Sequence, residues 1–358
     1  MSRPLWAAFT TGDRGTATAQ FLQLGVDARA IALGEAYSAV ADDASALYWN
    51  PAGLARLPRG GGSLSLMHAP YVDSSYFDYA AAAQRVGPGT AVGAGMQYLN
   101  AGSIPETDPA GNAIGSFTPY ETAATVGFAQ GGRAGSLGVA GKWIQSKILD
   151  TAQTVAADVG YLTPALGGGR FRLAVVAQNL GGRMRFESEE EDLPLALRFG
   201  SAFHLTDHWD FSADLAFPRN NGPDLGVGTE ARVPFAAGDF FAGRLGYNSR
   251  TAGALPGFTG LAVGAGFSFS RVALDYAFLP MGDLGQTHRI SLTLRWGPAA
   301  GGSPTALSAA RDASRKEAKT EGARCKELYG AVNCEEPPRS NLDRMNGPDN
   351  ADPSARPW

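Results

Sequence analysis

Charge, histidine and long apolar runs are all scarce in this sequence. Charged residues make up only 18% of the 358 positions, and there are four histidines and two cysteines. No window reaches the ~20 consecutive apolar residues of a membrane-crossing helix. A soluble enzyme of this length normally shows several long amphipathic helices, and they are missing as well. Lysine and arginine are scattered and the formal net charge is −4, so nucleic acid is not an expected partner. No GxSxG, HExxH or Walker pattern occurs. His68, His204, His208 and His288 are dispersed; His204 and His208 flank a tight turn containing Asp207 and read as ordinary turn residues rather than metal ligands. No catalytic residue, metal or cofactor is expected, and an enzyme is the least supported class.

Glycine is abundant instead. Forty-seven glycines, with alanines and aromatics, fall in alternating runs. From residue 62 to 296 the chain divides into about fourteen segments of roughly ten residues, the length of a tilted strand crossing an outer membrane. The segments fall near 62–70, 75–86, 90–99, 119–130, 135–147, 152–163, 171–180, 194–205, 208–217, 224–234, 239–248, 258–269, 271–279 and 287–296. In 258–269, Leu261, Val263, Ala265, Phe267 and Phe269 share one face, and Gly260, Ala262, Gly264, Gly266 and Ser268 the other. The last segment sets Ile290, Leu292, Leu294 and Trp296 against Arg289, Ser291, Thr293 and Arg295. The second face is small as well as polar, which leaves room inside a barrel. The apolar face is then the lipid face, with Trp143, Tyr247 and Trp296 as interface markers.

Link lengths point the same way. After even-numbered segments the links are tight, such as Gly87-Pro88-Gly89 and Ser270; after odd-numbered ones they are usually long, notably 100–118 and 181–193. Short periplasmic turns and long outer loops are the outer-membrane pattern. The links at 71–74 and 148–151 are short and break it. The fold class expected is all-β: an antiparallel transmembrane β-barrel of about 14 strands in the bacterial outer membrane, with both termini periplasmic.

One stretch is helical. In residues 25–55, Asp27 is a good N-cap and Ala28, Ala30, Ile31, Ala32, Leu33, Ala36 and Ala39 follow. Asp42 and Asp43 offer a stop and a second cap. Asn50 is pushed out of the helical region by Pro51 and caps a new turn that has Pro51 at its first position. Two Ala/Gly-rich helices with a sharp joint read as a plug for the lumen. Arg29 is expected to pair with a carboxylate of the barrel wall or the plug. Arg244 and Arg295 are inward-facing, serving the lumen's field or simply hydrated there.

The same stretch resembles the N-terminal signature of the PorV/PorQ family, a branch of the FadL-like outer-membrane barrels. The matching residues are Ala28, Arg29, Ala30, Leu33, Gly34, Ala36, Tyr37, Ala41, Asp42, Asp43, Ala44, Asn50, Pro51, Ala52, Gly53 and Leu54. Glu35 departs from it where many members have a second glycine. The motif residues singled out as the candidate site are Arg29, Gly34, Asp42, Asp43, Asn50, Pro51 and Gly53.

The chain divides into an N-terminal extension (1–24), the helical plug (25–61), the barrel (62–296) and a periplasmic tail (297–358). The opening MSRPLWAAF is too short an apolar stretch for a signal peptide, so the start is expected to be internal or trimmed. The tail opens on a Gly/Pro linker, continues as a polar helix over 305–329 and ends in a Pro/Asn/Asp-rich stretch expected to be disordered. Cys325 and Cys334 are expected to close a small disulfide loop there. The acidic run Glu187, Glu189, Glu190, Glu191 and Asp192 reads as a solvated outer loop, or else as a divalent-cation bridge to lipopolysaccharide or a dock for a basic partner.

Three functions compete. The resemblance implies an export or surface-assembly barrel that binds a protein partner or cargo at its long loops. A FadL-like barrel passing a hydrophobic ligand is the second, and the Asn50-Pro51-Ala52-Gly53 motif does not separate them. A structural barrel anchoring an envelope partner through its tail is the third. Outer-membrane lipid is a partner in all of them.

Overall fold

The computed structural model describes residues 17–297 apart from 72–73, 187–188, 237 and 253–258. The tail after residue 297, with Cys325 and Cys334, lies outside the described residues, as do both chain ends. The described residues form eighteen strands: β1 Gly62–Pro70, β2 Tyr76–Arg85, β3 Thr90–Asn100, β4 Ile104–Thr107, β5 Ala113–Phe117, β6 Tyr120–Gly132, β7 Gly135–Lys147, β8 Thr151–Leu162 and β9 Phe171–Gly181, then β10 Arg183–Phe186, β11 Glu189–Asp192, β12 Ala196–His204, β13 Trp209–Pro218, β14 Asp224–Ala236, β15 Asp239–Asn248, β16 Leu261–Phe269, β17 Val272–Pro280 and β18 Gln286–Trp296. Fourteen of them close one antiparallel barrel, in the order β1-β18-β17-β16-β15-β14-β13-β12-β9-β8-β7-β6-β3-β2. The other four form two separate hairpins, β4–β5 and β10–β11, within the two longest links.

Period two in the sequence becomes inside and outside in space. In β16 the residues Leu261, Val263, Phe267 and Phe269 are exposed, while Ala262 and Gly264 are buried. The exposed set of β7, β15 and β18 includes Val139, Trp143, Phe241, Leu245, Ile290 and Trp296, which forms the lipid-facing wall. Closure is made by β1 on β18, with Gly62 opposite Trp296 and His68 opposite Ile290. Every neighbouring pair around the barrel is hydrogen-bonded, so no edge is left open. Register shifts occur only between Ala157 and Val159 on β8 and between Pro234 and Ala236 on β14, among the described residues of the wall. Aromatic rings meet across strands toward both rims: Tyr76, Tyr98 and Tyr120 in one row near the long loops, and Phe235, Phe241 and Phe267 near the short turns. Such girdles are where a barrel meets the two membrane interfaces.

Two local expectations change. The helix predicted from Asp27 toward Asp42 ends early: α1 covers only Ala28–Ala32. Gly34 and Glu35 both turn left-handed, with φ of 65° and 64°, and break it. The described part of the acidic run is a strand, Glu189–Asp192, that stays at the surface. In the β10–β11 hairpin Arg183 reaches Asp192 at 2.9 Å, and Arg219 reaches Asp192 at 2.7 Å.

Candidate functional site

Residues 17–61 fill the lumen. They form a 3-10 turn at Gln20–Gln23, α1, a second helix α2 at Ala46–Trp49, and a six-residue 3-10 helix at Pro51–Arg56. The segment called an extension in sequence is therefore, from residue 17, part of the plug. It sits at the long-loop end: Thr18 N donates to the Asp192 carbonyl and Gln23 Nε2 to Asn220 Oδ1. The chain leaves the lumen at the short-turn end, where Arg85 Nη1 donates to the Leu57 carbonyl at 2.7 Å.

Glycine on the wall is what lets the plug backbone lie against it. A Cβ on Gly226 would stand 2.5 Å from the Gly34 carbonyl oxygen, and those on Gly228, Gly246, Gly264, Gly138 and Gly160 would likewise overlap plug atoms. Gly34 needs its own missing side chain twice over, because φ is +65° and a Cβ would come within 2.7 Å of the Tyr247 nitrogen and the Val227 oxygen. Asn248 Nδ2 donates to the Gly34 carbonyl at 3.1 Å.

The other motif residues have definite work. Asp27 accepts from Arg29 N at 3.1 Å and caps α1. Asn50 Oδ1 accepts from Ala52 N at 3.1 Å, with Pro51 in the first turn, while Asn50 Nδ2 donates to the Ser38 carbonyl at 2.9 Å. A Cβ on Gly53 would lie 2.6 Å from the Ala41 carbonyl oxygen. Asp43 Oδ1 accepts from Ser45 N and Oγ at 2.9 and 2.6 Å, tightening the turn into α2. Asp42 is an ion-pair residue rather than a cap: Arg29, Arg295 and Arg56 stand 3.3, 3.4 and 3.8 Å from it. Burial pushes its carboxyl up, but those arginines outweigh burial and hold it below the usual carboxylate range.

Arg29 makes the main plug-to-wall link, as a fork onto Glu230: Nε to Oε2 at 2.9 Å and Nη2 to Oε1 at 3.1 Å. Glu230 also accepts from Arg244 Nε at 2.6 Å and from Arg232 Nε at 2.7 Å. The chain of charges continues to Asp275 through Arg244, and to Asp210 through Arg232, each at 2.7 Å. Glu230 and Arg244 are nearly dry, with side chains 3% and 2% exposed. At the loop end Arg250 reaches Glu35 at 2.6 Å, and Arg198 lies 3.8 Å from both Glu35 and Asp214. Sequence alternation flagged Arg244; Glu230, Asp275, Arg198 and Asp214 carry the same signal, an ionisable residue on the small face of a strand, and were missed.

Opposite this charged side lies an apolar one. A single cluster of buried residues joins Phe21, Leu22, Met184 and Leu193 at the loop end, through Trp49, Tyr48, Leu47, Phe77 and Tyr79, to Leu54 and Leu57 near the turns. Its wall residues belong to β1, β2, β3, β6, β7 and β8, with Ala277 of β17 as the exception. Among the described residues no group of three His, Cys, Asp or Glu side chains is placed to hold a metal ion. His204 is bonded to Asp210 at 2.5 Å.

The profile of an uncharacterised protein family (UPF0164) matches residues 7–140. A search of curated proteins finds no match. Among solved structures, the chain is similar to the CymD monoaromatic hydrocarbon channel, with a TM-score of 0.51 and 12% identity over 76% of this chain and 97% of that one. The Pseudomonas putida toluene transporter TodX gives 0.45 and 12% over 70% and 92%. A Pseudomonas aeruginosa FadL homologue gives 0.46 and 10% over 73% and 95%. In fold, the chain is a closed fourteen-stranded barrel similar to the CymD channel.

Proposed function

We propose that this chain is an outer-membrane barrel that passes hydrophobic small molecules, along the apolar side of its lumen, when the plug shifts. The observation that carries this reading is the continuous apolar cluster from Phe21 and Met184 at the loop end to Leu57 at the turn end. A pore for polar solutes has no use for such a column, because water-filled porin lumens are lined by polar groups. The wall is closed by hydrogen-bonded strands and the plug is buried in the lumen, so passage requires the plug to move. The CymD likeness is one of fold, and that protein, a monoaromatic hydrocarbon channel, serves the same substrate class.

The test is uptake of radiolabelled toluene and of a labelled long-chain fatty acid by cells that carry the protein. A Cβ on Gly131 of β6 would lie 3.2 Å from the Ala55 Cβ of the plug, close to the separation that a disulfide spans. In a background where Cys325 and Cys334 are serine, Ala55→Cys with Gly131→Cys should stop uptake when oxidised and restore it when reduced. Equal uptake in both states, or none above cells without the protein, rejects the reading.

The second reading is export or surface assembly of the PorV/PorQ kind, and the observation favouring it is the pair of folded hairpins, β4–β5 and β10–β11, beyond the wall at the loop end. Native mass spectrometry of the protein extracted in mild detergent separates the two. A stoichiometric protein partner that is lost on deleting residues 104–117 supports assembly.

A further inference from the structure

We infer that the outer wall over β18, β1, β2 and β3 is the interface of a symmetric dimer, covered in the membrane by a second copy of this chain. At the centre of the strip, Leu64, Leu66 and His68 of β1 stand beside Ala82, Ala80 and Asp78 of β2. On one flank β18 adds Leu294, Leu292 and Ile290, and on the other β3 adds Ala94, Met96 and Tyr98. Each central row therefore sets a large or basic residue beside a small or acidic one. Leu66 and Met96 rise on either side of Ala80 and leave an apolar depression of about 400 Å³ there.

Insertion decides how two copies can meet. Both enter the membrane in the same sense, so the two-fold axis relating them lies along the membrane normal and equal depths meet. In a wall tilted by about 40°, with strands about 4.8 Å apart, cross-strand partners differ in depth by about 3 Å. That is within side-chain reach. An axis passing between β1 and β2 puts Leu66 over the partner's Ala80, Leu64 over the partner's Ala82 and His68 beside the partner's Asp78. Each contact occurs twice, as an isologous interface requires. On the flanks, where two convex walls diverge, Leu292 meets the partner's Met96, and both are long enough to reach.

The same strip is a poor face for lipid. His68 Nδ1 and Asp78 Oδ1 are 2.6 Å apart, with side chains 59% and 42% exposed. The imidazole has a second nitrogen and the carboxylate a second oxygen, so the two pairs can join into a ring of four alternating groups across the axis. At the other end of the strip Trp296 Nε1 donates to Gln84 Oε1 at 2.7 Å. From Asp78 to Gln84 the wall rises only about 16 Å, against an apolar band of about 25 Å in outer-membrane barrels. Between them β2 offers this face only Ala80 and Ala82, whereas β16 presents Leu261, Val263, Phe267 and Phe269. A short apolar stretch is relieved by association, and small residues let two surfaces come close.

Two differently tagged full chains, one with Leu66→Cys and one with Ala80→Cys, are coexpressed in the background where Cys325 and Cys334 are serine. Oxidation in isolated outer membranes should give a disulfide-linked pair carrying both tags. Phe199→Cys with Leu215→Cys, exposed on the opposite side of the barrel, should give none. In mild detergent the parent should have the mass of two chains, and Ala80→Trp should weaken the dimer at least tenfold. Ala82→Trp serves if Ala80→Trp does not fold. His68→Asp alone and Asp78→Lys alone should each be monomeric, yet the two mixed should pair. Opposite charges then meet across the axis, while neither chain regains its own histidine–aspartate bond. A one-chain mass for the folded parent, equal linkage on the opposite side, or a mixture that stays monomeric overturns the assignment. So does a stoichiometric foreign protein on the strip in place of a second copy. The readout is mass and linkage and not uptake, so it stands or falls apart from the transport reading.

Discussion

The two sides of this lumen hold the plug in different ways. On the β9–β18 side the plug is pinned by directed, charged contacts, with Arg29 forked onto Glu230 and Glu230 shared by Arg232 and Arg244. On the β1–β8 side it rests mainly on alanines, Phe77, Tyr79 and Ile144, with the Arg85 bond to the Leu57 carbonyl as a directed contact near the turns. One charged pair, Lys142 with Asp158 at 2.7 Å, crosses onto the apolar side. Directed contacts fix the register of the plug and fail abruptly. Apolar contacts add free energy with little directionality and yield gradually. A barrel that must hold its plug yet let something slide past it has use for both, each on its own side.

The sharpest way to break the contrast is Glu230→Ala. Three arginines would lose their shared carboxylate in a nearly dry site, a change that costs about 3–5 kcal/mol when one partner of a buried pair is removed. The plug should lose its seat while the strand ladder stays closed. Planar-bilayer conductance reports this as steady ion leak absent from the parent protein. A silent bilayer trace would mean that the charge network is ornament and the apolar side holds the plug alone.

Leu47→Ala tests the other side. Leu47 is 1% exposed, and Gly95 and Gly127 of the wall sit against its methyls. Truncation should cost about 2–4 kcal/mol, by lost burial plus a cavity. Thermal unfolding should move down without ion leak, since no directed contact is lost. Leak equal to that of Glu230→Ala would erase the distinction between the sides.

A smaller effect is expected from Asn50→Ala, which removes the cap on Ala52 N and the bond to the Ser38 carbonyl. The loss should be about 1–2 kcal/mol. Protease cleavage within residues 38–56 should rise, with the strands untouched.

How much of this was legible beforehand follows from what each feature depends on. The fourteen wall strands were readable because period two is a local property: Leu261 to Phe269 alternates whatever its neighbours do. The caps by Asp27 and Asn50 are local too. The early end of α1 was not readable. Ala28 to Ala39 has the composition of a helix, but Gly34 must lie on the backbone of β14 and β15, some 200 residues away in sequence, and that contact overrides propensity. The plug role of Phe21 and Leu22 was hidden for the same reason, since its partners Met184 and Leu193 belong to a distant loop. Arg29 could be foreseen as paired, but not its partner, because Glu230 becomes adjacent only when the barrel closes.

Asp27 gives the finest test, because it sits where the two sides meet. Its carboxyl is pushed up to about 8, by burial first and then by the Asp43 and Asp275 carboxylates, against the opposing pull of the Arg29 backbone and guanidinium. Folded and unfolded chains therefore differ: the buried group prefers to keep its proton, while the unfolded one ionises near the ordinary value of 3.8. A raised folded value means the contribution to stability is fully present at pH values below the unfolded one and is lost as pH rises through about 8. Plug retention should thus weaken between mildly acidic and mildly alkaline buffer. Asp27→Asn keeps the cap and cannot ionise, so it should match the parent at low pH and hold its plug better at high pH. The measurement is bilayer leak, or protease cutting of the plug, across that range. If the two proteins lose their plugs in parallel as pH rises, another group sets the dependence and the junction at Asp27 is electrically quiet.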